Sequence, residues 1–148
     1  MIRICLIHGP NLNLLGIREP DIYGHDNFDD MNRKIKDKGK QLDTEVRIFQ
    51  SNSEGQIIDA IHESLKWADA IVINPGAYTH YSYAIRDAIS AVRLPRIEVH
   101  LTNVHGREDW RRHSVVSPVT SGQIVGFGTN SYLLAIQAAK VLVEESRR

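Results

Sequence analysis

The chain has a single cysteine, no excess of either charge and no long apolar run. Cys5 has no partner for an internal disulfide, which is typical of a reducing compartment, and we expect the cytoplasm. The 18 basic residues balance the 18 acidic ones, so no global charge favours binding to nucleic acid or to an acidic membrane surface. No apolar stretch approaches the roughly 20 residues of a membrane span. We therefore predict neither a nucleic-acid partner nor a membrane partner.

Several catalytic signatures are also missing. There is no Gly-x-Ser-x-Gly elbow for a serine nucleophile, and no His-Glu-x-x-His pattern or cysteine pair that would bind a metal. The segment Gly126-Phe127-Gly128 is too short and incomplete to cradle a phosphate. The six lysines, at positions 34, 36, 38, 40, 66 and 140, fall in predicted helices, so a Schiff-base mechanism has no evident nucleophile. We therefore expect no metal site and no covalent imine.

Apolar segments of strand length alternate with segments of helical period. The predicted strands are residues 2–7, 46–49, 70–73, 97–101 and 124–127. The predicted helices are residues 28–42, a helix opened by a capping box at 53–56, residues 83–92, a short helix at 108–112 and residues 131–145. Such alternation predicts a single α/β domain over residues 1–148, with a parallel sheet covered on both faces. We expect a flavodoxin-like, doubly wound five-stranded sheet of order 2-1-3-4-5.

The loop after the first predicted strand carries polar chemistry. Residues 9–24 read Gly-Pro-Asn-Leu-Asn-Leu-Leu-Gly-Ile-Arg-Glu-Pro-Asp-Ile-Tyr-Gly, and ligands of open α/β sheets bind at this end of the strands. A free phenol titrates near about pH 10, but the guanidinium of Arg18 could stabilise a Tyr23 phenolate. That pair suits abstraction of a weakly acidic proton beside a carbonyl. In the alternative interpretation, Asn11, Asn13 and, after the third predicted strand, Asn74 form turns and Tyr23 covers apolar surface.

Polar side chains also gather around the ends of the third and fourth predicted strands. The third strand is followed by Asn74-Pro75-Gly76-Ala77-Tyr78-Thr79-His80, and the fourth carries Glu98 and His100. Side chains two residues apart on a strand share a face, so the carboxylate can orient the imidazole for general-acid catalysis. A structural ion pair is the alternative for this pair, and a helix cap for His80. Arg107, Arg111 and Arg112 would ordinarily form a solvated basic face.

Three motifs, in this order, resemble those of the type II 3-dehydroquinate dehydratases. They are Gly-Pro-Asn-Leu-Asn-Leu-Leu-Gly-x-Arg-Glu-Pro-x-x-Tyr-Gly, Asn-Pro-Gly-Ala-Tyr-Thr-His and Ile-Glu-Val-His-Leu-x-Asn, and the likeness runs from residue 2 to about residue 138. The resemblance implies a flavodoxin-like lyase without metal or organic cofactor. Its substrate would be 3-dehydroquinate and its product 3-dehydroshikimate, in the shikimate route to aromatic amino acids. It also implies trimers that assemble into dodecamers.

The resemblance further implies a role for each flagged residue. Tyr23 would take the C2 proton to form an enolate, Arg18 would lower its pKa, and Asn11 would help stabilise the enolate. His100, oriented by Glu98, would protonate the departing C1 hydroxyl. The implied substrate-binding residues are Asn74, His80, Asp87, Leu101, Thr102 and Arg111. In such proteins the aspartate that corresponds to Asp87 reaches the site of a neighbouring subunit. Thr102 and Trp110 depart from the usual pattern, in which serine and phenylalanine are frequent.

A small-ligand binding module without catalysis is the alternative, since flavodoxin-like sheets also host flavin carriers and phospho-receivers. A flavin carrier would need a phosphate-binding loop of Ser, Thr and Gly after the first strand, where this chain has Pro, Asn and Leu. A receiver would need acidic residues near the end of that strand, and residues 5–8 supply none. The sequence therefore favours the lyase.

Overall fold

The computed structural model describes residues 1–17, 19–23 and 25–148, except for the side chains of Pro20 and Tyr23. The strands are β1 (Ile2–His8), β2 (Thr44–Gln50), β3 (Ala70–Asn74), β4 (Arg96–His100) and β5 (Gly122–Val125). The helices are α1 (Pro20–Tyr23), α2 (Phe28–Gln41), α3 (Glu54–Ser64), α4 (Tyr83–Ala91) and α5 (Thr129–Ser146). Short 3-10 helices lie at Leu12–Leu14, Gly76–His80, Val104–Gly106, Asp109–Arg112 and Ser117–Val119.

The five strands form one parallel sheet in the order β2-β1-β3-β4-β5, which confirms the predicted topology. The strands β1 and β3 end at the same position in the sheet, with His8 opposite Asn74. In the next pair, Ile73 lies opposite Glu98. Because all strands run the same way, the loops that follow β1, β3 and β4 leave the sheet at one edge.

The sheet separates two apolar cores, as the alternation of side chains along a strand requires. Ile4 and Leu6 of β1 pack in the core beneath α2 and α5, whereas Cys5 and Ile7 pack in the core beneath α3 and α4. Both faces are thus covered by helices. Burial raises the pKa of the Cys5 thiol to about 12, so this cysteine stays protonated and is a poor nucleophile.

Two local expectations were wrong. The predicted fifth strand extended to residue 127, but β5 ends at Val125 because Gly126 has a φ of 99° and turns the chain. The predicted capping box at the start of α3 is only half formed. The Ser53 hydroxyl accepts from the Gln56 backbone N–H, but the Gln56 side chain accepts from the Ser51 hydroxyl instead. A complete capping box opens α2.

Across the described residues, none of the helices combines the length and the apolar character needed to cross a bilayer. The longest of them, α5, buries one face against the sheet.

Gly9 is placed where β1 meets the loop after β3. Its N–H donates to the Asn74 backbone oxygen at 2.7 Å. A Cβ at this position would lie 2.7–2.8 Å from backbone atoms of Asn74 and Pro75, which no side-chain rotation can relieve. The absence of a side chain at Gly9 therefore allows the two loops to approach each other.

We expect Gly9→Ala to lower the free energy of unfolding by about 1–3 kcal/mol, the usual cost of forcing extra atoms into a packed site. Urea unfolding followed by circular dichroism measures the effect. Gly55→Ala is the matched control, because its Cβ would meet only the Ser53 hydroxyl oxygen at 3.9 Å on an exposed helix turn. The control should be neutral or more stable by up to about 1 kcal/mol. Equal stability of the two variants would contradict the close approach.

Candidate active site

A polar cavity of about 220 Å³ lies at the edge of the sheet where β1, β3 and β4 end. Its walls come from three separate loops, as the positions of the polar residues predicted. They are formed by Pro10, Asn11, Leu12, Asn74, Gly76, Ala77, His80, His100, Leu101, Thr102, Val104, Arg107, Trp110 and Arg111. A larger apolar groove of about 760 Å³ lies elsewhere, between β5 and α5, and carries none of these groups.

Asn11 begins the first wall in a left-handed conformation, with a φ of 70°. Asparagine tolerates this region better than most residues, which explains its placement at the turn. The Asn52 side-chain oxygen accepts from the Asn11 backbone N–H at 3.0 Å. Gln50, at the end of β2, donates to that same oxygen and to the Gly9 carbonyl oxygen, both at 3.2 Å. Hydrogen bonds from the end of β2 and the residues just after it thus hold the loop after β1 in place.

Asn74 ends β3 and is nearly fully buried at the cavity wall. Its side-chain oxygen accepts from the Gly76 backbone N–H at 3.0 Å, and its side-chain nitrogen donates to the Tyr132 hydroxyl at 2.9 Å. The Tyr132 hydroxyl also bonds Nδ1 of His8. The turn-forming interpretation of Asn74 is therefore correct, since it caps its own loop, but the residue also faces the cavity.

Glu98 and His100 form a buried pair on the same face of β4, as their spacing predicted. Nε2 of His100 lies 2.6 Å from Oε2 of Glu98. Glu98 is fully buried, and its carboxylate also accepts hydrogen bonds from the hydroxyls of Thr79 and Ser114. A buried carboxylate is costly unless its oxygens are satisfied, and here three donors surround it.

This arrangement determines which ring nitrogen of His100 can act on a bound molecule. A carboxylate oxygen can only accept a hydrogen bond, so Nε2 carries a proton and donates a hydrogen bond to Glu98. Nδ1 is then the ring nitrogen that can exchange a proton with a ligand. Because His100 lines the cavity, the pair can hold the ring in one orientation and stabilise the imidazolium.

His80, Trp110 and Arg111 pack against one another at the cavity wall. Nδ1 of His80 donates to the His113 carbonyl oxygen at 2.7 Å, and the His80 ring meets the Trp110 ring edge-on with centroids 4.9 Å apart. The Arg111 guanidinium lies 4.1 Å from the centre of the Trp110 ring. Burial lowers the pKa of His80. The hydrogen bond to the His113 carbonyl oxygen opposes this, and the nearby charges of His100 and Arg111 lower the pKa further. A neutral His80 therefore presents Nε2 as an acceptor.

The cationic groups of the cavity are held by neighbouring side chains. Glu108 accepts from Nε of Arg111 at 2.8 Å, and this hydrogen bond lowers the pKa of the Glu108 carboxyl. Arg107 donates to the Thr102 hydroxyl at 3.3 Å. The Leu101 carbonyl oxygen accepts from the Gly128 N–H, which ties the loop after β4 to the start of α5. The two guanidinium groups beside this small cavity suit an anionic ligand.

Most of the predicted site residues meet at this cavity. Those that line it are Asn11, Asn74, His80, His100, Leu101, Thr102 and Arg111, and Glu98 lies directly behind His100. Asn13 and Asp87 lie outside the lining that the described residues form. The Asn13 side-chain oxygen accepts from Gln50, and Asp87 is exposed on α4. Arg18 and the Tyr23 side chain lie outside the described residues, so their predicted pairing stays a prediction.

Several contributors were missed by the sequence reasoning. Thr79 and Ser114 bind the Glu98 carboxylate, and Tyr132 and Gln50 brace the cavity loops from α5 and β2. Thr79 stands next to the flagged His80 and Ser114 two residues after the flagged Arg112, and these positions were the available signals. Tyr132 and Gln50 are distant in sequence from the polar motifs, and only the packing of elements brings them close.

Among the described side chains, no three His, Cys, Asp or Glu residues come together in a way that could hold a metal ion. The expectation that catalysis uses no metal stays a prediction.

Comparison with known proteins gives one consistent result. The family model described as dehydroquinase class II matches residues 2–140. A 3-dehydroquinate dehydratase of Dictyoglomus turgidum is 59% identical over 138 residues, covering 93% of this chain and 95% of that protein. A second one, from Pelotomaculum thermopropionicum, is 52% identical and covers 95% of this chain and 98% of that protein.

The solved structures agree with the sequence relatives. The crystal structure of a type II dehydroquinase from Butyrivibrio crossotus superposes with a TM-score of 0.92 at 51% identity, covering 94% of this chain and 97% of that one. This similarity confirms the flavodoxin-like fold, and the family model and the sequence relatives confirm the predicted class of enzyme, a hydro-lyase. The chain belongs to the dehydroquinase class II family.

Proposed function

We propose that this protein removes water from 3-dehydroquinate to give 3-dehydroshikimate. The observation that carries the proposal is the buried Glu98–His100 pair at the wall of a small cationic cavity, in a chain of this family. Elimination beside a carbonyl needs one group to take a proton and another to protonate the leaving hydroxyl. His100 is suited to the second task.

His100 acts as the general acid in this proposal. Glu98 holds Nε2, so Nδ1 of the imidazolium delivers its proton to the C1 hydroxyl, which leaves as water. Glu98 does not touch the substrate. It orients the ring and stabilises its charged form, and the hydroxyls of Thr79 and Ser114 keep the carboxylate in place.

Tyr23 acts as the base, with Arg18 beside it stabilising the phenolate. The support is the position of residues 18 and 23 in the segment that follows β1, together with the motif shared with the family. Tyr23 takes the C2 proton, and the electrons left behind form an enolate. Asn11, at the cavity wall, helps to stabilise that enolate. The proton balance is then complete, with one proton taken at C2 and one given at C1.

The remaining cavity residues bind the substrate. Arg111 is suited to grip the carboxylate, and the segment of Leu101 and Thr102 closes the same end. His80 binds a ring hydroxyl by accepting a hydrogen bond at Nε2. Asn74 binds a ring hydroxyl through its second amide hydrogen or its second oxygen lone pair. The cavity volume, about 220 Å³, is below the range of drug-sized pockets and fits a compact polar acid.

We also propose that no metal or organic cofactor takes part, and that the enzyme works in the cytoplasm.

The proposal includes a homo-oligomer of trimers, assembled into a dodecamer, in which Asp87 completes a neighbouring subunit's site. Asp87 is exposed on α4 and lies outside its own chain's cavity lining, as far as the described residues form it. Apolar side chains such as Phe127 and Leu134 are exposed beside the edge strand β5, and such surface is usually covered in an assembly.

The direct test is to mix purified protein with 3-dehydroquinate and follow the ultraviolet absorbance of the conjugated enone product. We expect the absorbance to rise, and to rise equally after treatment with chelator and after borohydride in the presence of substrate. Tyr23→Phe should keep the circular dichroism spectrum and lose at least about 10²-fold in kcat, because its proton acceptor is gone.

Folded wild-type protein without turnover would contradict the proposed activity and favour the small-ligand binding module. A loss of signal after chelation would refute metal-free catalysis. Substantial turnover by Tyr23→Phe would refute the assignment of the base alone.

Glu98→Gln should lower kcat by about 10²-fold while KM changes little, because the neutral amide no longer stabilises the His100 imidazolium. Steady-state kinetics separate the two constants. Glu63→Gln is the control, since Glu63 pairs with Lys66 on the exposed surface of α3 and should keep wild-type kinetics. A large change in KM with kcat unchanged would show that Glu98 serves binding instead.

Mixing inactive variants tests whether sites are shared between subunits. Tyr23→Phe and Asp87→Ala should each be nearly inactive alone. After unfolding and refolding together in equal amounts, about a quarter of the sites would combine an intact Tyr23 with a neighbour's intact Asp87. Activity of the mixture should recover to about that fraction of wild type. No recovery in an assembled mixture would place Asp87 outside the shared site.

A further inference from the structure

Four polar side chains from four different elements meet inside the core directly behind the cavity. They are His8 at the end of β1, Asn32 on α2, Asn74 at the end of β3 and Tyr132 on α5, here called the buried tetrad. His8 and Tyr132 are fully buried, and Asn74 is 3% exposed. Three of the four play no part in the reaction proposed above.

The hydrogen bonds of the buried tetrad have one consistent direction. A backbone N–H can only donate, so the Asn74 side-chain atom that faces the Gly76 N–H must be the oxygen. The other atom, the amide nitrogen, therefore faces Tyr132. The Tyr132 oxygen therefore accepts a hydrogen bond from Asn74. The Tyr132 hydroxyl uses its single hydrogen to donate a hydrogen bond to Nδ1 of His8, at 3.0 Å. Nε2 of His8 then carries the ring proton and donates to the Asn32 side-chain oxygen at 2.8 Å.

The protonation states that this direction needs are those that burial favours. Burial lowers the pKa of His8 to about 4, so the ring is neutral at neutral pH and Nδ1 can accept. Burial also raises the pKa of Tyr132, so its hydroxyl keeps the proton that it donates. Each of these bonds then joins one donor to one acceptor. Reversing the His8–Tyr132 bond would leave the Tyr132 proton without an acceptor and would leave Nε2 of His8, then itself an acceptor, facing the Asn32 oxygen.

A purely structural need does not explain this arrangement. Apolar side chains fill the rest of this core, and a polar group placed there costs free energy unless every bond is made. The one member that faces the cavity is Asn74, whose second amide hydrogen and second oxygen lone pair remain for a ligand. The Gly76 N–H holds the oxygen end of this amide and the Tyr132 hydroxyl holds the nitrogen end, so the tetrad supplies one of the two bonds that fix what Asn74 presents to the substrate.

We propose that Tyr132, His8 and Asn32 are positioning residues that hold the Asn74 amide in a single orientation toward the substrate. The proposal rests on the function proposed above, because Asn74 is assigned there to a substrate hydroxyl. None of the three touches the substrate. They act through Asn74, and their effect on turnover depends on the presence of that side chain.

A double-mutant cycle in the full-length protein tests this dependence. Tyr132→Phe removes only the hydroxyl and should lower kcat/KM by about tenfold to a hundredfold, the cost of an unpaired buried group, with the circular dichroism spectrum unchanged. In an Asn74→Ala background the same change should have no further effect on kcat/KM. Tyr83→Phe, which removes an exposed hydroxyl, is the matched control and should behave as wild type. Additive losses in the cycle would overturn the proposal.

If Tyr132→Phe fails to fold, Asn32→Ala tests the same chain of bonds from its partly exposed end. Asn32→Ala removes the acceptor of the hydrogen bond from Nε2 of His8. The resulting loss in kcat/KM should be smaller than that of Tyr132→Phe, and it should also vanish in the Asn74→Ala background. An equal loss in both backgrounds would overturn the proposal.

A spectroscopic measurement decides the proposal even if 3-dehydroquinate is not the substrate. Nitrogen NMR of the histidine rings should show His8 neutral and protonated on Nε2 at pH 7, and the Asn74 side-chain amide should give one sharp, shifted pair of signals. In Tyr132→Phe that pair should broaden or move toward the values of a free amide. A charged or Nδ1-protonated His8, or an Asn74 amide unaffected by Tyr132→Phe, would refute the positioning role, whereas a lack of turnover alone refutes the proposed function.

Discussion

The level ending of β1 and β3, with His8 opposite Asn74, is the constraint on which the cavity depends. The Gly9 N–H continues the pairing by donating to the Asn74 backbone oxygen, and a side chain at Gly9 would collide with that backbone. Because the two strands end together and β4 pairs beside β3, three loops leave the sheet at one edge. The polar groups on those loops can meet only because of this shared edge.

Each polar group that enters the interior at this edge has a complete set of partners. Glu98 accepts from three side chains, and the bonds of the buried tetrad link His8, Asn32, Asn74 and Tyr132 in one chain. Among the described residues, no buried side-chain nitrogen or oxygen atom lacks a hydrogen-bond partner. Unpaired groups would be expensive in an apolar core, so the same bonds that stabilise the fold also hold His100 and Asn74 in place.

The sequence predicted the fold well because its signals were local. Alternating apolar runs and helical stripes gave the strand and helix order, and the rules of parallel sheets then left few topologies. The errors were also local. Gly126 shortened β5, and Ser51 took the Gln56 side chain that the predicted capping box needed. In the first case a glycine inside the predicted strand turned the chain, and in the second a hydroxyl outside the predicted motif competed for the hydrogen bond.

The sequence by itself determined the chemistry available to the site, since a strand brings Glu98 and His100 to one face whatever surrounds them. It also determined the order of elements, and hence that Asn11, Asn74 and His100 share an edge. Only the tertiary structure decided which ring nitrogen of His100 faces the cavity and how Asn74 is oriented. Those outcomes depend on Thr79, Ser114 and Tyr132, whose contacts span up to 124 residues of sequence and arise only when the elements pack on the sheet.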